Sequence, residues 1–277
     1  MTRFSANSEA LCRAADDLRE SIDRLTFRDP VTHVYNPLRY AWKAHQAYLR
    51  KAPRGRADAV FLGMNPGPWG MAQTGVPFGE ISFVRDFVGI RTDIDKPDRE
   101  HPKRRIEGFD CQRSEVSGRR FWGYLQSRFG TSAEFFKKNF VINYCPLIFM
   151  EASGRNRTPD KLPAEEREVL QGLCDRHLNR VLSVLKPNVV VAVGTYAEAC
   201  LGRCLASPPW TPGKPTAKSS KSSRPSAPPS TGHSWRIARI LHPSPASPAA
   251  NRDWAGTVER QLAASGIWGR RRPSPKE

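Results

Sequence analysis

Two hydrophobic periods alternate along the chain. From residue 8 to residue 26 the apolar positions Leu11, Ala14, Leu18, Ile22 and Leu25 recur at the spacing of a helix with one buried face. Tyr35-Asn36-Pro37 then reads as a helix start. Asn36 is the cap and Pro37 the first helical residue of a helix carrying Tyr40, Trp42 and Tyr48. The period changes at Ala57-Asp58-Ala59-Val60-Phe61-Leu62-Gly63, a short apolar run closed by glycine, as expected of a strand buried on both faces. Similar runs lie at Phe140–Tyr144, Asn188–Gly194 and Ile237–Leu241, with helical periodicity between them over Leu162–Leu185 and Thr195–Leu205. Strands alternating with helices predict an α/β fold, a central, mostly parallel four-stranded sheet flanked by helices.

Residues 207–234 break the pattern with seven prolines, eight serines, four Lys/Arg and no acid. Such a segment buries too little apolar area to offset its ordering entropy and is expected to be a disordered insertion. The expected organisation is a helical lead-in over 1–29, one domain formed by 30–206 and 235–267, the insertion, and a basic tail over 268–277.

Charge adds a partner. The 277 residues hold 44 Lys+Arg against 27 Asp+Glu, a net +17, of which the insertion and the tail supply +4 and +3. The remaining +10 sits on the folded part and favours a nucleic-acid face over merely basic tails. The chain has no apolar run of about 18 residues, so a membrane span is not expected. Met1 to Ser5 lead into a charged helical pattern rather than a secretory signal. The six cysteines are scattered, which fits a reducing compartment rather than a disulfide framework. Cys200 and Cys204 share a helical face but lack two further ligands at metal-site spacing, so no metal is expected.

In an open α/β sheet, ligands bind beyond the carboxyl ends of the strands. The first strand here runs into Gly63–Gly79, with five glycines and three prolines in seventeen residues. This stiff loop has neither a Walker lysine nor GxGxxG spacing. The second strand ends at Asn143-Tyr144-Cys145-Pro146 and the fourth at His242-Pro243-Ser244-Pro245. The sheet edge therefore offers Asn65, Asn143 and His242, with Phe78 nearby, and no nucleophile–base pair or paired carboxylates. That set suits a planar polar ring. An amide pairs with a pyrimidine edge, an aromatic ring stacks on its face, and a histidine stabilises charge on a leaving oxygen. Each residue also has a structural alternative: Asn65 a turn cap, Asn143 a core amide, His242 a structural histidine, Phe78 and Met71 core packing.

The loops resemble the uracil-DNA glycosylase superfamily, and within it the single-strand-selective monofunctional branch. The resemblance rests on GMNPGPWGMAQTGVPFGE (Gly63–Glu80), with Trp69 where the family has Phe. It extends to YNPLRYAW (Tyr35–Trp42), SEVSGRRFWG (Ser114–Gly123), NYCPL (Asn143–Leu147), SGRNRTP (Ser153–Pro159) and HPSP (His242–Pro245). It implies that Asn65 holds the attacking water and His242 stabilises the departing uracil anion. Asn143 would read the pyrimidine edge, Phe78 would stack, and Met64, Gly67 and Met71 would line the C5 side. Ser153, Gly154, Arg155, Asn156 and Arg157 would lie along DNA, as would Pro243, Ser244, Pro245 and Ala246. The implied protein is a monomeric, nuclear enzyme without cofactor that leaves an abasic site in single- or double-stranded DNA. The branch usually carries an arginine wedge where this chain has Ala246, which puts duplex flipping in doubt. A non-catalytic damaged-DNA binder, a general nucleic-acid-binding module and a sister glycosylase with another base choice remain as alternatives.

Overall fold

The computed structural model describes residues 5–206 and 235–268. The insertion over 207–234 and the tail from residue 269 lie outside the described residues. In chain order the helices are α1 (Ala6–Ile22), α2 (Pro37–Tyr40), α3 (Trp42–Leu49), α4 (Met71–Thr74), α5 (Val116–Phe129), α6 (Ser132–Phe136), α7 (Ala164–Leu185), α8 (Thr195–Ala206) and α9 (Pro248–Ala264). The strands are β1 (His33–Tyr35), β2 (Ala59–Gly63), β3 (Asn139–Asn143), β4 (Ile148–Met150), β5 (Asn156–Arg157), β6 (Val189–Val193) and β7 (Arg236–Ile240).

The expected four-stranded sheet is present, in the order β3-β2-β6-β7, and every pairing in it is parallel. The two central strands are buried at every position because helices cover both faces. On the edge strand β7, Arg236 and Arg239 are exposed while Ala238 and Ile240 are buried. A second, antiparallel sheet, β1-β4-β5, was not legible in the pattern. Its strands have only two or three residues, too short for a period to register.

Two helix boundaries differ from expectation. The first helix ends at Ile22 rather than residue 26, because Asp23 turns out to accept from Asn36 Nδ2 at 2.7 Å and Arg39 Nη1 at 2.6 Å. The helix starting at Pro37 is split at Ala41 (φ −107°, ψ 27°). Asn36 caps it as expected, accepting from Leu38 N–H at 3.1 Å. The break lies where Gly75, at φ +69°, approaches so closely that a Cβ there would sit 2.9 Å from Ala41 O.

The N-terminal helix is part of the core: Leu11, Leu18 and Ile22 are buried in the same apolar cluster as the sheet. Trp268, at the expected start of the tail, packs its ring 5.5 Å from Phe61 and 5.0 Å from Phe129. Cys200 and Cys204 do share the buried face of α8.

His45, buried on α3, lies with Nδ1 2.8 Å from Gly75 O, and burial pulls its pKa from 6.5 down to about 4. Above pH 6.5 the ring is neutral folded or unfolded. As pH falls from 6.5 towards 4 only the unfolded chain takes the proton, so stability is lost across that window. The expected loss is about 3 kcal/mol, from about 1.4 kcal/mol per unit. Urea unfolding at pH 7 and pH 4 checks it: His45→Gln should show a smaller drop than the parent.

Candidate active site

Read across the carboxyl edge of the sheet, the strand ends present Asn143 on β3, Asn65 beyond β2, Gly194 beyond β6 and His242 beyond β7. Asn65 and His242 each stand two residues past the last residue of their strand. Neighbouring strands lie roughly 4.8 Å apart, so two steps separate the Asn65 and His242 strands by roughly 10 Å. Between them the β6 end carries only a glycine, at φ +91°. A Cβ on Gly194 would press to 3.1 Å from His242 Cβ, so glycine lets the histidine loop close over this end. The Asn65 amide and the His242 imidazole thus stand at strand ends two steps apart, with only a glycine at the end between them.

The β2–β3 ladder continues past the strands, Tyr144 N–H donating to Gly63 O and Cys145 N–H to Met64 O, both at 2.9 Å. This holds Asn65 and Asn143 on adjacent, rigid backbone. Asn65 Nδ2 donates to Leu147 O at 3.2 Å, and no donor among the described residues reaches its Oδ1, which is left to accept from a water. Asn143 is half-buried, and its Nδ2 points at Met71 Sδ, 3.3 Å away. Met71 is buried and orients that amide, a contact its place in the sequence did not reveal.

Phe78 has φ +54°, an unusual conformation for an aromatic residue and of the kind that accumulates at functional sites. Its ring stacks on Phe121 with centroids 4.5 Å apart and 14° between planes, and lies 6.3 Å from the His242 ring. Thr74 Oγ1 donates to Gly79 O at 3.0 Å and Trp122 Nε1 to Pro77 O at 3.2 Å, which over-determines the turn. Phe78 is half-buried and packs against the core cluster through Phe121, which leaves part of its side chain accessible.

His242 differs from the other described histidines. His33, His45, His101 and His177 each place a ring nitrogen within 3.2 Å of a protein polar atom. Among the described residues neither nitrogen of His242 has a partner, although the ring is largely enclosed. Burial lowers its pKa, so the imidazole is neutral at neutral pH and its N–H is free to donate. A structural histidine satisfies its nitrogens.

The loop bearing His242 is pinned from beneath. Arg120, on α5, donates through Nη1 to Pro243 O and Ser244 O, both at 3.2 Å, and through Nη2 to Asn251 Oδ1 at 2.8 Å. Asn251 Nδ2 returns a bond to Pro245 O at 2.9 Å, and Ser247 caps α9. Pro245 and Ala246 form the exposed tip.

Gln73 fastens the loop after β2. It donates to Pro68 O at 3.1 Å and Arg105 O at 2.9 Å, and accepts from Glu107 N–H at 2.8 Å and Gly108 N–H at 3.0 Å. Gly67 and Gly70 lie against Glu115, where any Cβ on Gly67 would overlap the carboxylate. Burial pushes the Glu115 carboxyl up. Sequence reasoning gave no role to Gln73, Glu115, Arg120, Phe121 or Gly194. All but Gly194 lie inside the motif blocks, which was the available signal.

The residues expected along DNA divide. Ser153 and Arg155 are exposed, whereas Gly154 is buried at φ +83°. Asn156 and Arg157 form β5, and Arg157 is engaged internally, donating to Glu151 Oε1 at 2.8 Å and Lys161 O at 3.0 Å. A cavity of about 30 Å³ is lined by Asn143 and Met71 together with His45, Tyr48, Pro77 and Pro146.

The profile of the uracil DNA glycosylase superfamily matches residues 50–261. The chain is 42% identical over 250 residues to the single-strand selective monofunctional uracil DNA glycosylase of Bos taurus, covering 90% of this chain and 84% of that protein. It is equally 42% identical to the Rattus norvegicus protein of that name, covering 90% of this chain and 82% of that one. The crystal structure of Pedobacter heparinus SMUG2 superposes with a TM-score of 0.59 at 15% identity, over 91% of this chain and 97% of that one, a likeness of fold. On the profile match, the identity to these relatives and the strand-end constellation together, the chain belongs to the uracil-DNA glycosylase superfamily.

Proposed function

We propose that the chain is a monofunctional uracil-DNA glycosylase that takes a nucleotide out of its strand and hydrolyses its N-glycosidic bond, leaving an abasic site. The observation that carries this is His242, a neutral, enclosed histidine with no hydrogen-bond partner among the described residues, two strands from Asn65. The target base must leave the strand to enter the site. Phe78 stacks on its face and Asn143 pairs with its edge through one donor and one acceptor. As the bond breaks, positive charge develops on the sugar and negative charge on the base. The His242 N–H donates to the oxygen on which that negative charge gathers. A water held by Asn65 Oδ1 then adds to the sugar and gives up its proton to solvent. No lysine stands among these site residues to act as an amine nucleophile.

The proposal extends to 5-hydroxymethyluracil and 5-formyluracil as further substrates. What supports it is that the residues expected on the C5 side, Met64, Gly67 and Met71, include no bulky ring. The same reading makes single- and double-stranded DNA the partner of a monomeric, nuclear enzyme, with no metal or organic cofactor in the reaction. Ala246 at the exposed loop tip fills little of a vacated base position, so single strands should be the better substrates.

Base release from matched single- and double-stranded oligonucleotides, each with one uracil or one 5-hydroxymethyluracil, tests the proposal. The expected result is release of both bases, faster from the single strand. Equal turnover on the two forms would refute the strand preference. No release with DNA binding retained would replace the enzyme by a damaged-DNA binder.

A further inference from the structure

Trp69, which departs from the family's phenylalanine, gathers two cations. The Arg113 guanidinium lies over its indole ring with Cζ 4.6 Å from the centroid, and that of Arg104 lies over the same ring at 5.2 Å. The three residues come from three segments: the loop after β2, the stretch before the turn at Gly108–Asp110, and the approach to α5. Arg113 is exposed, and Arg104 and Trp69 are half-exposed. Neither arginine forms an ion pair among the described residues, in contrast to Arg157, which is paired with Glu151.

The cluster is held by buried bonds. Gln73, 1% exposed, ties Pro68, beside Trp69, to Arg105, beside Arg104. Tyr35 Oη donates to Arg104 O at 2.9 Å and accepts from His101 N–H at 2.6 Å. Ile106 N–H donates to Glu100 Oε1 at 2.7 Å. Trp69 N–H donates to Glu115 Oε2 at 3.4 Å, which fixes the ring's backbone. The indole holds two like charges close together, which costs repulsion unless an anion joins them. A cation–π contact leaves most guanidinium donors free, whereas an ion pair would occupy them: Arg104 spends only Nη1, which donates to Lys103 O at 2.9 Å.

Trp69 lies four residues beyond Asn65 in the same loop after β2. Resting on the glycosylase reading for the identity of that anion, we propose that Trp69, Arg104 and Arg113 form a clamp for neighbouring backbone phosphates of the substrate strand, beside the extruded nucleotide. The clamp grips the strand from its backbone and needs no complementary strand. It thereby supplies hold on DNA at a protein whose loop tip carries Ala246 in place of a wedge. Sequence readout is not expected, because phosphate contacts position without specifying.

The test is the salt dependence of binding to a short fluorescein-labelled single-stranded oligodeoxynucleotide carrying one tetrahydrofuran abasic analogue. The double variant Arg104→Gln/Arg113→Gln should lower the slope of log K against log salt by about 1.4, at about 0.7 per phosphate. Arg113→Gln alone, at an exposed side chain with no side-chain hydrogen bond to lose among the described residues, should lower it by about 0.7 and serves if the double variant fails to fold. Arg54→Gln/Arg56→Gln removes the same charge at exposed positions ahead of β2, at the opposite edge of the sheet, and should leave the slope unchanged. An unchanged slope in the clamp variants, or an equal fall in the control, overturns the clamp. Base release by the parent is scored separately. A lowered slope in a protein that releases no base keeps the clamp and removes the chemistry, and an unchanged slope in an active enzyme does the reverse.

Discussion

Asn65→Ala and His242→Ala should each lower single-turnover release of uracil from single-stranded DNA by about 10²–10³-fold, the range for removing one preorganised group aimed at developing charge. The two losses have different physical origins. His242 meets a charge that exists only as the bond breaks, so its removal should lower the rate at saturating enzyme far more than it weakens binding. Asn65 orients the water, so its alanine variant loses the acceptor that places the attacking oxygen. It also strands Leu147 O, which accepts from Asn65 Nδ2 at 3.2 Å and lies in a buried residue, at a stability cost of about 1 kcal/mol. His242 has no such partner, so His242→Ala should melt close to the parent while losing more activity. A variant that melts like the parent and releases base at the parent's rate would remove that residue from the chemistry.

Gly63→Ala should abolish base release while leaving the protein folded. Gly63 pairs with Asn143 in the β2–β3 register, at the floor of the site. A Cβ there would overlap Asn143 Oδ1 and come within 2.6 Å of the Phe78 ring. Neither neighbour can give way without leaving its functional position. Asn143 would swing from Met71 Sδ, and Phe78 would slide off Phe121, against which it is stacked at 4.5 Å. The backbone of β2 itself tolerates alanine, since Gly63 is not among the residues at positive φ. The expected signature is a melting temperature within several degrees of the parent, together with release reduced by at least the factor seen for Asn65→Ala. Parent-like activity would mean that the edge-reading amide and the stacking ring are not both needed. Global unfolding would mean that the clash is borne by the sheet instead.

The interior of the sheet was the most legible part of the chain. Runs such as Val189–Val193 are apolar at every position, because a central parallel strand is covered on both faces, and nothing else in a polar chain looks like that. The catalytic loops were legible because glycine and proline fix backbone shape locally, so a motif of those residues keeps its form wherever it is placed. The small antiparallel sheet was not legible: β5 has two residues and owes its existence to β4. The break at Ala41 and the early end of α1 were hidden for the same reason. Each is imposed by a residue distant in sequence, Gly75 in one case and Asn36 with Arg39 in the other. Arg157 belongs to a basic motif, and its ion pair with Glu151 is a contact that the motif did not show.

The sequence by itself determined the class of fold, the four strands and the loops at their ends, because burial on two faces and stiff turns are local properties. It also placed Asn65, Asn143, Phe78 and His242 in those loops. The tertiary structure decided what each could do. Strand order set two strand steps between Asn65 and His242, with Gly194 allowing the histidine loop to approach. Packing set the stack of Phe78 on Phe121, the neutral and unpartnered state of His242, and the union of Trp69 with Arg104 and Arg113. Distance, enclosure and the presence of a partner are relations between segments, and no single stretch of chain contains them.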